Sequence, residues 1–460
     1  MTDARSTALK YAKDNRARFL DELKELVSIQ SVSADSAFKP EIQKAADWLM
    51  AKLKALGFDN IQKMDTGGHP IVYADLMKAG PKAPTMLVYG HYDVQPADPV
   101  ELWETPPFEG VVKGEYLMGR GASDMKGQVI ASMAAIEAAL KAGPLPVNVK
   151  WMIEGEEEIG SSSMAKFIRA NAKLFACDFA VNPDAGMLAP DAPTLTYGLR
   201  GLAYFEIRLT GPGLDLHSGL FGGAIRNPAN ELARLISGMH DEKNRVTLPG
   251  FYNSVLPLEA EERAEFKRIP HTSDQDYATA AGVTKLWGEE GYTAFERATS
   301  RPTLEVNGLL SGYTGEGPKT VLPAKAMAKI SCRLVPDQKP EEVEQQLNAY
   351  MKANAHPAVK WEVKMISDGD PSISKRDTRE MNAMSKALEA VWGSKTIWRR
   401  EGGTVPVVAY IHDELGAECI NTGFGLPDDR LHSPNERMHL PTWEKGIDAL
   451  VHFIYNLGEI

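Results

Sequence analysis

Hydrophobic and polar positions follow two different rhythms along the chain. Up to about residue 182, stretches with apolar side chains every three or four residues alternate with short stretches that are almost wholly apolar. The first pattern predicts helices with one buried face, and the second predicts buried strands. The pattern predicts helices at 40–57 and 129–140, and strands at 71–76, 86–89, 147–153 and 179–181.

Near residue 200 the rhythm changes to strict alternation. Residues 203–209 and 328–334 place an apolar side chain at every second position and mostly polar side chains between. This period of two is typical of strands with one buried and one wet face, as in antiparallel sheets. Helix patterns accompany these strands at 228–239 and 341–353.

The first rhythm returns after a turn-forming segment at 368–371. A helix pattern at 377–392, a short strand at 419–421 and a closing helix at 443–457 follow it. Alternating strands and helices indicate an α/β domain with a mostly parallel sheet flanked by helices. We therefore predict one such domain, formed by residues 1–200 and 371–460, with an inserted α+β domain at 201–370 built on an antiparallel sheet.

Composition narrows the function classes. The 460 residues are 43% hydrophobic and 25% charged, with a net charge of −11, which is typical of a globular protein without affinity for nucleic acid or an anionic membrane. The three cysteines, Cys177, Cys332 and Cys419, are too far apart for a thiolate metal site or a disulfide framework. No apolar run of about 18 residues occurs, so we expect a soluble cytoplasmic protein.

Histidines and carboxylates follow several predicted strands. His91 and Asp93 come after 86–89, Glu157 and Glu158 come after 147–153, and Asp184 comes after 179–181. Taken singly, each has a structural explanation as a polar turn or an exposed acidic loop. Similarly, an aspartate or serine before a helix, as at 123–124, is ordinarily an N-cap.

Together these residues predict a metal site. Ligands of open α/β sheets bind at the carboxyl ends of the strands, where such side chains converge. Five nitrogen and oxygen ligands without a thiolate suit two divalent ions, with zinc favoured and manganese or cobalt also suitable. The ligand set is His91, Asp124, Glu158, Asp184 and His432. Asp93 shares a face with His91 in an extended segment and could hold its imidazole ring.

Several segments also carry a family resemblance, and four of them run in order along nearly the whole chain: G-H-Y-D-V-Q-P (90–96), G-R-G-A-S-D-M-K-G (119–127), E-G-E-E-E-I-G-S (154–161) and H-S-P-N-E (432–436). The chain thereby resembles the metallopeptidase family of carboxypeptidase G, succinyl-diaminopimelate desuccinylase and the carnosine dipeptidases. A narrower likeness to the cytosolic non-specific dipeptidase branch rests on four more: D-L-H-S-G-L-F-G-G (215–223), K-T-V-L-P (319–323), C-R-L-V-P-D (332–337) and R-E-G-G-T-V-P (400–406).

The resemblance implies roles for the first group of residues. Asp124 would bridge two ions, His91 and Asp184 would complete one site, and Glu158 and His432 would complete the other. Glu157 would act as general base on a metal-activated water, and Asp93 would orient His91. A one-residue shift of the alignment would make Glu156 the base instead. Met125 stands where many relatives carry an aspartate, next to a peptide bond that is often cis in the family.

The resemblance also implies substrate-binding groups in the inserted domain, which would act as a lid and form a homodimer. His217 would reach over from the partner subunit to stabilise the oxyanion. Thr320 and Arg333 would bind the substrate carboxylate, helped by the backbone of Gly402, Gly403 and Thr404. The implied activity is hydrolysis of short peptides, above all dipeptides, with a free C-terminal carboxylate.

Two alternatives stay open from the sequence. The same metals and base would serve an N-acyl-amino-acid deacylase, a desuccinylase or a carboxypeptidase, and only the pocket residues separate these activities. A relative without catalytic activity, which uses the inserted domain for assembly or binding, is the second alternative.

Overall fold

A computed structural model describes residues 2–459 of the chain. This part contains eighteen strands: β1 (Asp59–Met64), β2 (Ile71–Leu76), β3 (Thr85–His91), β4 (Val111–Lys113), β5 (Tyr116–Met118), β6 (Asn148–Glu154), β7 (Phe179–Asn182), β8 (Thr194–Leu199), β9 (Gly201–Thr210), β10 (Leu216–His217), β11 (Thr303–Ser311), β12 (Val321–Leu322), β13 (Lys325–Leu334), β14 (Lys360–Gly369), β15 (Ser372–Ile373), β16 (Ile397–Glu401), β17 (Glu418–Asn421) and β18 (Arg437–His439).

The same described residues form fifteen α-helices: α1 (Thr2–Asp14), α2 (Arg16–Ser28), α3 (Lys39–Ala55), α4 (Lys126–Ala142), α5 (Met164–Ala170), α6 (Ala172–Phe175), α7 (Ser218–Phe221), α8 (Pro228–Ser237), α9 (Ala260–Phe266), α10 (Asp274–Ala281), α11 (Ala294–Ser300), α12 (Pro340–Asn354), α13 (Arg379–Trp392), α14 (Pro406–Leu415) and α15 (Leu440–Leu457). No helix within 2–459 is both long enough and apolar enough to cross a membrane.

The chain divides into two compact units. The larger unit comprises residues up to Tyr197, the segment Ser374–Arg399 and residues from Val407 onward. The smaller unit comprises Gly198–Ile373 and the short segment Arg400–Pro406. The sequence predicted an insertion at 201–370 and no later excursion of the chain. The functions of the units as catalytic domain and lid stay predictions.

The main sheet of the larger unit has the strand order β1-β2-β6-β3-β7-β17-β8, and β18, β5 and β4 form a separate three-stranded sheet. The centre of the main sheet is parallel: β3 pairs in parallel with β6 and β7, and β17 pairs in parallel with β7. Strands β1, β2 and β8 run antiparallel to their neighbours. Every residue of β2, β6 and β7 is buried, as expected when helices flank a sheet. The predicted α/β class is confirmed.

Helix α4 forms the centre of the helical layer. It packs on β3 and contacts α1, α2 and α15. Alanine-rich and buried over most of its length, it allows these helices to approach closely. Gly143, with φ +150°, follows its last turn and stops it. The helix begins at Lys126, two residues after Asp124.

The smaller unit contains a four-stranded antiparallel sheet with order β11-β13-β9-β14. The alternation in the sequence is borne out, because Phe205 pairs with Ile330 and Ile207 with Ala328 on the buried face. Helices α8 and α12 pack on this sheet. A separate two-stranded ribbon joins β10 to β12. Helices α9, α10 and α11 have no counterpart among the sequence predictions.

Candidate metal centre and substrate-binding groups

Three strand ends place side chains at one edge of the larger unit's sheet. Strand β3 ends at His91, and β7 is followed by Asp184. Strand β6 is followed by a single 3₁₀ turn that contains Glu157 and Glu158. Because β3, β6 and β7 run parallel, their carboxyl ends meet at the same edge. The distances below show which side chains come together there.

Asp124 lies between the two histidines. Its Oδ1 is 3.2 Å from His91 Nε2, and its Oδ2 is 2.9 Å from His432 Nε2. His91 Nε2 is also 3.8 Å from Asp184 Oδ2, while His432 Nε2 is 3.2 Å from Glu158 Oε2. The peptide bond from Asp124 to Met125 is cis.

These residues form two ligand groups that share one carboxylate. His91, Asp124 and Asp184 make the first group, and Asp124, Glu158 and His432 make the second. Within each group the potential ligand atoms all lie within 4.8 Å of one another. Two imidazoles and three carboxylates make a hard or borderline donor set, which fits zinc, manganese or cobalt.

The charges around this centre also fit cations. Burial raises the pKa of Glu157 to about 8; the negative charges of Asp124 and Glu158 add to the rise, while His91 opposes it. Burial and the same carboxylates raise the pKa of Asp184, again against His91. Carboxylates crowded in this way repel one another, and a divalent cation would relieve the repulsion.

The histidines already compensate part of this negative charge. Hydrogen bonds with Asp124 and Glu158 raise the pKa of His432 to about 10. Burial opposes ionisation of Asp124, but hydrogen bonds from His432 and His91 outweigh it and keep the pKa of this carboxyl well below its usual range. A metal ion would take over the position of these protons, since metal ligation requires neutral imidazoles.

Asp93 differs from its prediction in one respect. His91 Nδ1 lies 3.0 Å from the main-chain oxygen of Asp93 and 3.5 Å from its carboxylate Oδ1. The carboxylate instead accepts hydrogen bonds from the amides of Glu157 at 3.3 Å and Glu158 at 3.1 Å. Asp93 is wholly buried. It therefore holds the turn that carries the two glutamates as well as the His91 ring.

The two candidate bases, Glu156 and Glu157, lie in different surroundings. Glu156 Oε1 accepts the main-chain N–H of His69 at 3.1 Å, so this side chain is directed at the loop around residue 68. Glu157, by contrast, is close enough to His91, Asp124 and Glu158 for their charges to change its pKa. The choice of Glu157 over Glu156 as the base stays a prediction.

Gln95 belongs to this centre but was missed in the sequence. Its Nε2 donates to Glu158 Oε2 at 2.8 Å and to the main-chain oxygen of Glu158 at 3.1 Å. It lies within the G-H-Y-D-V-Q-P segment, so only the family resemblance could have drawn attention to it. Gln95 orients Glu158 within the second ligand group.

In the smaller unit, His217 and Thr320 are neighbours in the β10–β12 ribbon. His217 pairs with Val321, and the amide of Ser218 donates to the Thr320 carbonyl at 3.0 Å. His217 Nδ1 accepts the N–H of Gly219 at 3.0 Å. This bond leaves the proton of the neutral imidazole on Nε2, which faces away as a hydrogen-bond donor. Both side chains are exposed.

Arg333 and the segment 402–404 form a second cluster in the smaller unit. Arg333 Nη1 donates to Thr404 Oγ1 at 2.9 Å, and Thr404 Oγ1 donates to the Arg200 carbonyl at 2.6 Å. The Arg200 amide donates to Gly403 O at 3.1 Å, and its Nε donates to Gly402 O at 3.3 Å. Arg200, which the sequence did not single out, therefore holds this segment against Arg333.

The structure does not bring Thr320 and Arg333 together within one chain. Thr320 adjoins the start of β13 at Lys325, whereas Arg333 lies near the end of the same strand. The eight residue steps from Lys325 to Arg333 span roughly 26 Å in an extended strand. Thr320 precedes Lys325 by five residues and therefore lies toward the opposite end of β13 from Arg333.

Comparisons with known proteins identify similar peptidases. The profile of peptidase family M20/M25/M40 matches residues 87–456. The Cys-Gly metallodipeptidase DUG1 of Candida albicans is 33% identical over 464 residues, covering 96% of this chain and 95% of the relative. The Beta-Ala-His dipeptidase of Homo sapiens is 30% identical, covering 98% and 92%. The M20 family metallo-carboxypeptidase Sso-CP2 from Sulfolobus solfataricus matches in structure with a TM-score of 0.86, 31% identity and coverage of 96% and 99%.

Proposed function

The chain belongs to the M20/M25/M40 peptidase family and is a hydrolase of peptide bonds, and from this premise we propose that it is a dipeptidase dependent on two divalent metal ions. Its substrates would be dipeptides with a free C-terminal carboxylate. The observation that carries this proposal is the convergence of two ligand groups on Asp124, with Glu157 beside them.

The metal ions would be held by the five side chains of the two ligand groups. Divalent ions bound there would polarise the scissile carbonyl and lower the pKa of a bound water to roughly 7. His91 and Asp184 would hold one ion, Glu158 and His432 the other, and Asp124 both. Zinc is the first choice for this donor set, with manganese and cobalt as further candidates.

Glu157 would be the general base. Its position among the ligands allows it to take a proton from the attacking water and pass it to the leaving amine. Asp93 would keep Glu157 in place through its bond to the Glu157 amide.

The Arg333 cluster would bind the substrate carboxylate. A guanidinium and a carboxylate form a charge-assisted, two-pronged contact, and the bond to Thr404 limits the orientations of Arg333. Gly402 and Gly403 would add backbone groups. A group that binds the terminal carboxylate would favour short peptides with a free C-terminus.

His217 and Thr320 would act together from the partner subunit of a homodimer. They share one ribbon and lie far from Arg333 in the same chain, which supports a site completed by a second copy. The Nε2–H of His217 would donate to the oxyanion, and Thr320 would contact the substrate carboxylate. Exposed apolar side chains of the smaller unit, such as Leu220 and Leu309, are candidates for the dimer contact.

Assays of the purified protein test the proposed function directly. The protein, loaded with zinc or manganese, would be given Cys-Gly, β-Ala-His and Ala-Gly, each beside its N-acetyl and C-terminal amide analogues. We expect metal-dependent hydrolysis of free dipeptides and much slower reaction of both blocked forms. No hydrolysis of any free dipeptide by the metal-loaded protein would overturn the proposal.

A carboxypeptidase is the second candidate, because the similar Sulfolobus protein carries that name. The same substrates separate the two activities. Preferential release of the C-terminal residue from N-acetylated or longer peptides would favour the carboxypeptidase. Release of acetate would favour a deacylase.

A cytoplasmic location is also proposed, because the cysteines Cys177, Cys332 and Cys419 are free thiols that suit a reducing compartment.

A further inference from the structure

Glu436 is a buried carboxylate that holds the loop in front of α4. It is 1% exposed, and its Oε1 accepts the amides of Ser123 and Asp124, both at 3.1 Å. Its Oε2 accepts the amide of Gly121 at 3.0 Å and Arg120 Nη1 at 2.7 Å. Four donors on one carboxylate fix the backbone from which the Asp124 side chain projects.

Arg120 connects this carboxylate to two further loops. Its Nη2 donates to the carbonyls of Pro96 at 3.1 Å and Ser433 at 3.3 Å. Pro96 lies in the segment that follows His91, and Ser433 is the residue after His432. The ion pair therefore contacts the three loops that carry both histidines and the shared aspartate.

From these contacts we propose that Arg120 and Glu436 are positioning residues that set Asp124 relative to His91 and His432 and so determine metal affinity. The inference rests on the proposed role of Asp124 as the shared ligand. Both residues are buried, and neither belongs to the two candidate ligand groups. A buried ion pair contributes little net stability compared with well-packed apolar side chains, so stability alone does not account for it.

The chain offers a matched control in Glu137, on α4. This carboxylate is also buried and also binds several partners, among them Lys52 at 3.1 Å and Tyr11 at 2.9 Å. It lies eleven residues after Lys126 along the helix, roughly 16 Å at 1.5 Å per residue. Substitution of Glu137 therefore removes a comparable buried charge that is remote from the ligands.

The test compares Glu436→Gln with Glu137→Gln in the full chain. The dissociation constants for zinc and manganese would be measured by competition with a chromophoric chelator, and the melting temperature would be measured without metal. We expect both substitutions to lower the melting temperature. Only Glu436→Gln should weaken metal binding, by about 10- to 100-fold, which is typical when an outer partner of a ligand is lost.

Two conservative variants protect the test against misfolding. Glu436→Asp keeps the charge but shortens the side chain, and Arg120→Lys keeps the charge but loses the second arm to Pro96 and Ser433. Each should weaken metal binding several-fold while the protein melts close to the wild type. The positioning role is wrong if these variants bind metal as tightly as the wild type. It is also wrong if Glu137→Gln loses as much metal affinity as Glu436→Gln.

Metal binding is measured here independently of hydrolysis. If the wild type binds metal tightly but cleaves no dipeptide, the proposed function fails while the positioning role is still decided by the affinities. If dipeptides are cleaved and the Glu436 variants bind metal normally, only the positioning role fails.

Discussion

The Nε2 atom of His432 lies 2.9 Å from Oδ2 of Asp124, although the two residues are 308 positions apart in the sequence. This contact gives the second ligand group its only imidazole, whereas His91 and Asp184 complete the first group without it. Replacement of His432 should therefore affect one metal ion, whereas replacement of Asp124 should affect both.

We expect chelator treatment to abolish peptide hydrolysis and divalent ions to restore it. Metal analysis should find about two equivalents per chain in the wild type. His432→Ala should lose one equivalent and keep the other, since His91, Asp124 and Asp184 form a group of their own. Asp124→Ala should lose both. Equal metal content in the two variants would contradict the shared-ligand assignment.

Replacing the proposed base should separate chemistry from metal binding. Glu157→Gln removes the group that accepts the proton but leaves the five ligands in place, so kcat should fall by about 10²- to 10⁴-fold with unchanged metal content. Glu156→Gln is the matched comparison, because its side chain is directed at His69. Near-normal turnover in Glu157→Gln together with an inactive Glu156→Gln would reverse the assignment.

Arg333→Ala should chiefly affect substrates with a free carboxylate. Loss of a charge-assisted contact should raise KM at least tenfold for a free dipeptide and change little for its C-terminal amide. Arg208, an exposed arginine on β9 of the same sheet, is a suitable control for the removal of one positive charge. Parallel losses on free and amidated substrates would count against carboxylate binding by Arg333.

Mixed dimers test whether the partner subunit supplies His217. Glu157→Gln and His217→Ala should each be inactive as homodimers. After unfolding and refolding of an equal mixture, half the dimers are hybrids with one intact site of two, so activity should return to about a quarter of the wild type. A mixture that stays inactive although hybrids form would show that each chain uses its own His217.

The stability of the smaller unit should depend on pH through Glu231. Arg234 donates a hydrogen bond to this carboxylate and lowers its pKa, whereas burial raises it. Hydrogen bonds from Arg226 and from the His356 amide lower the pKa further, to about 2. A depressed pKa contributes stability above the unfolded value near 4.5, and this contribution is lost as the pH falls toward 2.

Calorimetry of Glu231→Gln against the wild type measures this effect. We expect a loss of about 2–3 kcal/mol in unfolding free energy at pH 7, and a difference that shrinks below pH 4.5. Glu342→Gln, an exposed substitution on α12, should change the unfolding free energy by less than about 0.5 kcal/mol at both pH 7 and pH 3. A Glu231→Gln penalty that stays constant from pH 7 to pH 3 would contradict the charge-based explanation.

Periodicity predicted most of the fold because its signal is local. The alternation in β9 and β13 determines which face of the sheet is buried, and the structure confirms it. Helices α10 and α11 escaped prediction because they are short and their apolar pattern is weak. Both nevertheless begin with capping boxes, Ser273 with Asp276 and Thr293 with Glu296, which are visible in the sequence.

The candidate site was predictable to the extent that strand ends determine it. The rule for parallel strands places His91, Glu158 and Asp184 at one edge, which is where they lie, although their roles as ligands stay predictions. Glu436 could not be found this way, since its bond to the Asp124 amide joins residues 312 positions apart. The separation of Thr320 from Arg333 likewise depends on the pairing of short segments, which no local pattern encodes.

The position of β17 has a consequence for biosynthesis. This strand lies between β7 and β8, so the central sheet of the larger unit has a gap until residues 418–421 have been translated. All residues of the smaller unit precede it, and that unit can acquire its antiparallel core while the ribosome is still elongating the chain. The nascent protein thus exposes the unpaired edges of β7 and β8 until late in its synthesis. A chaperone that covers exposed strand edges would act at that stage.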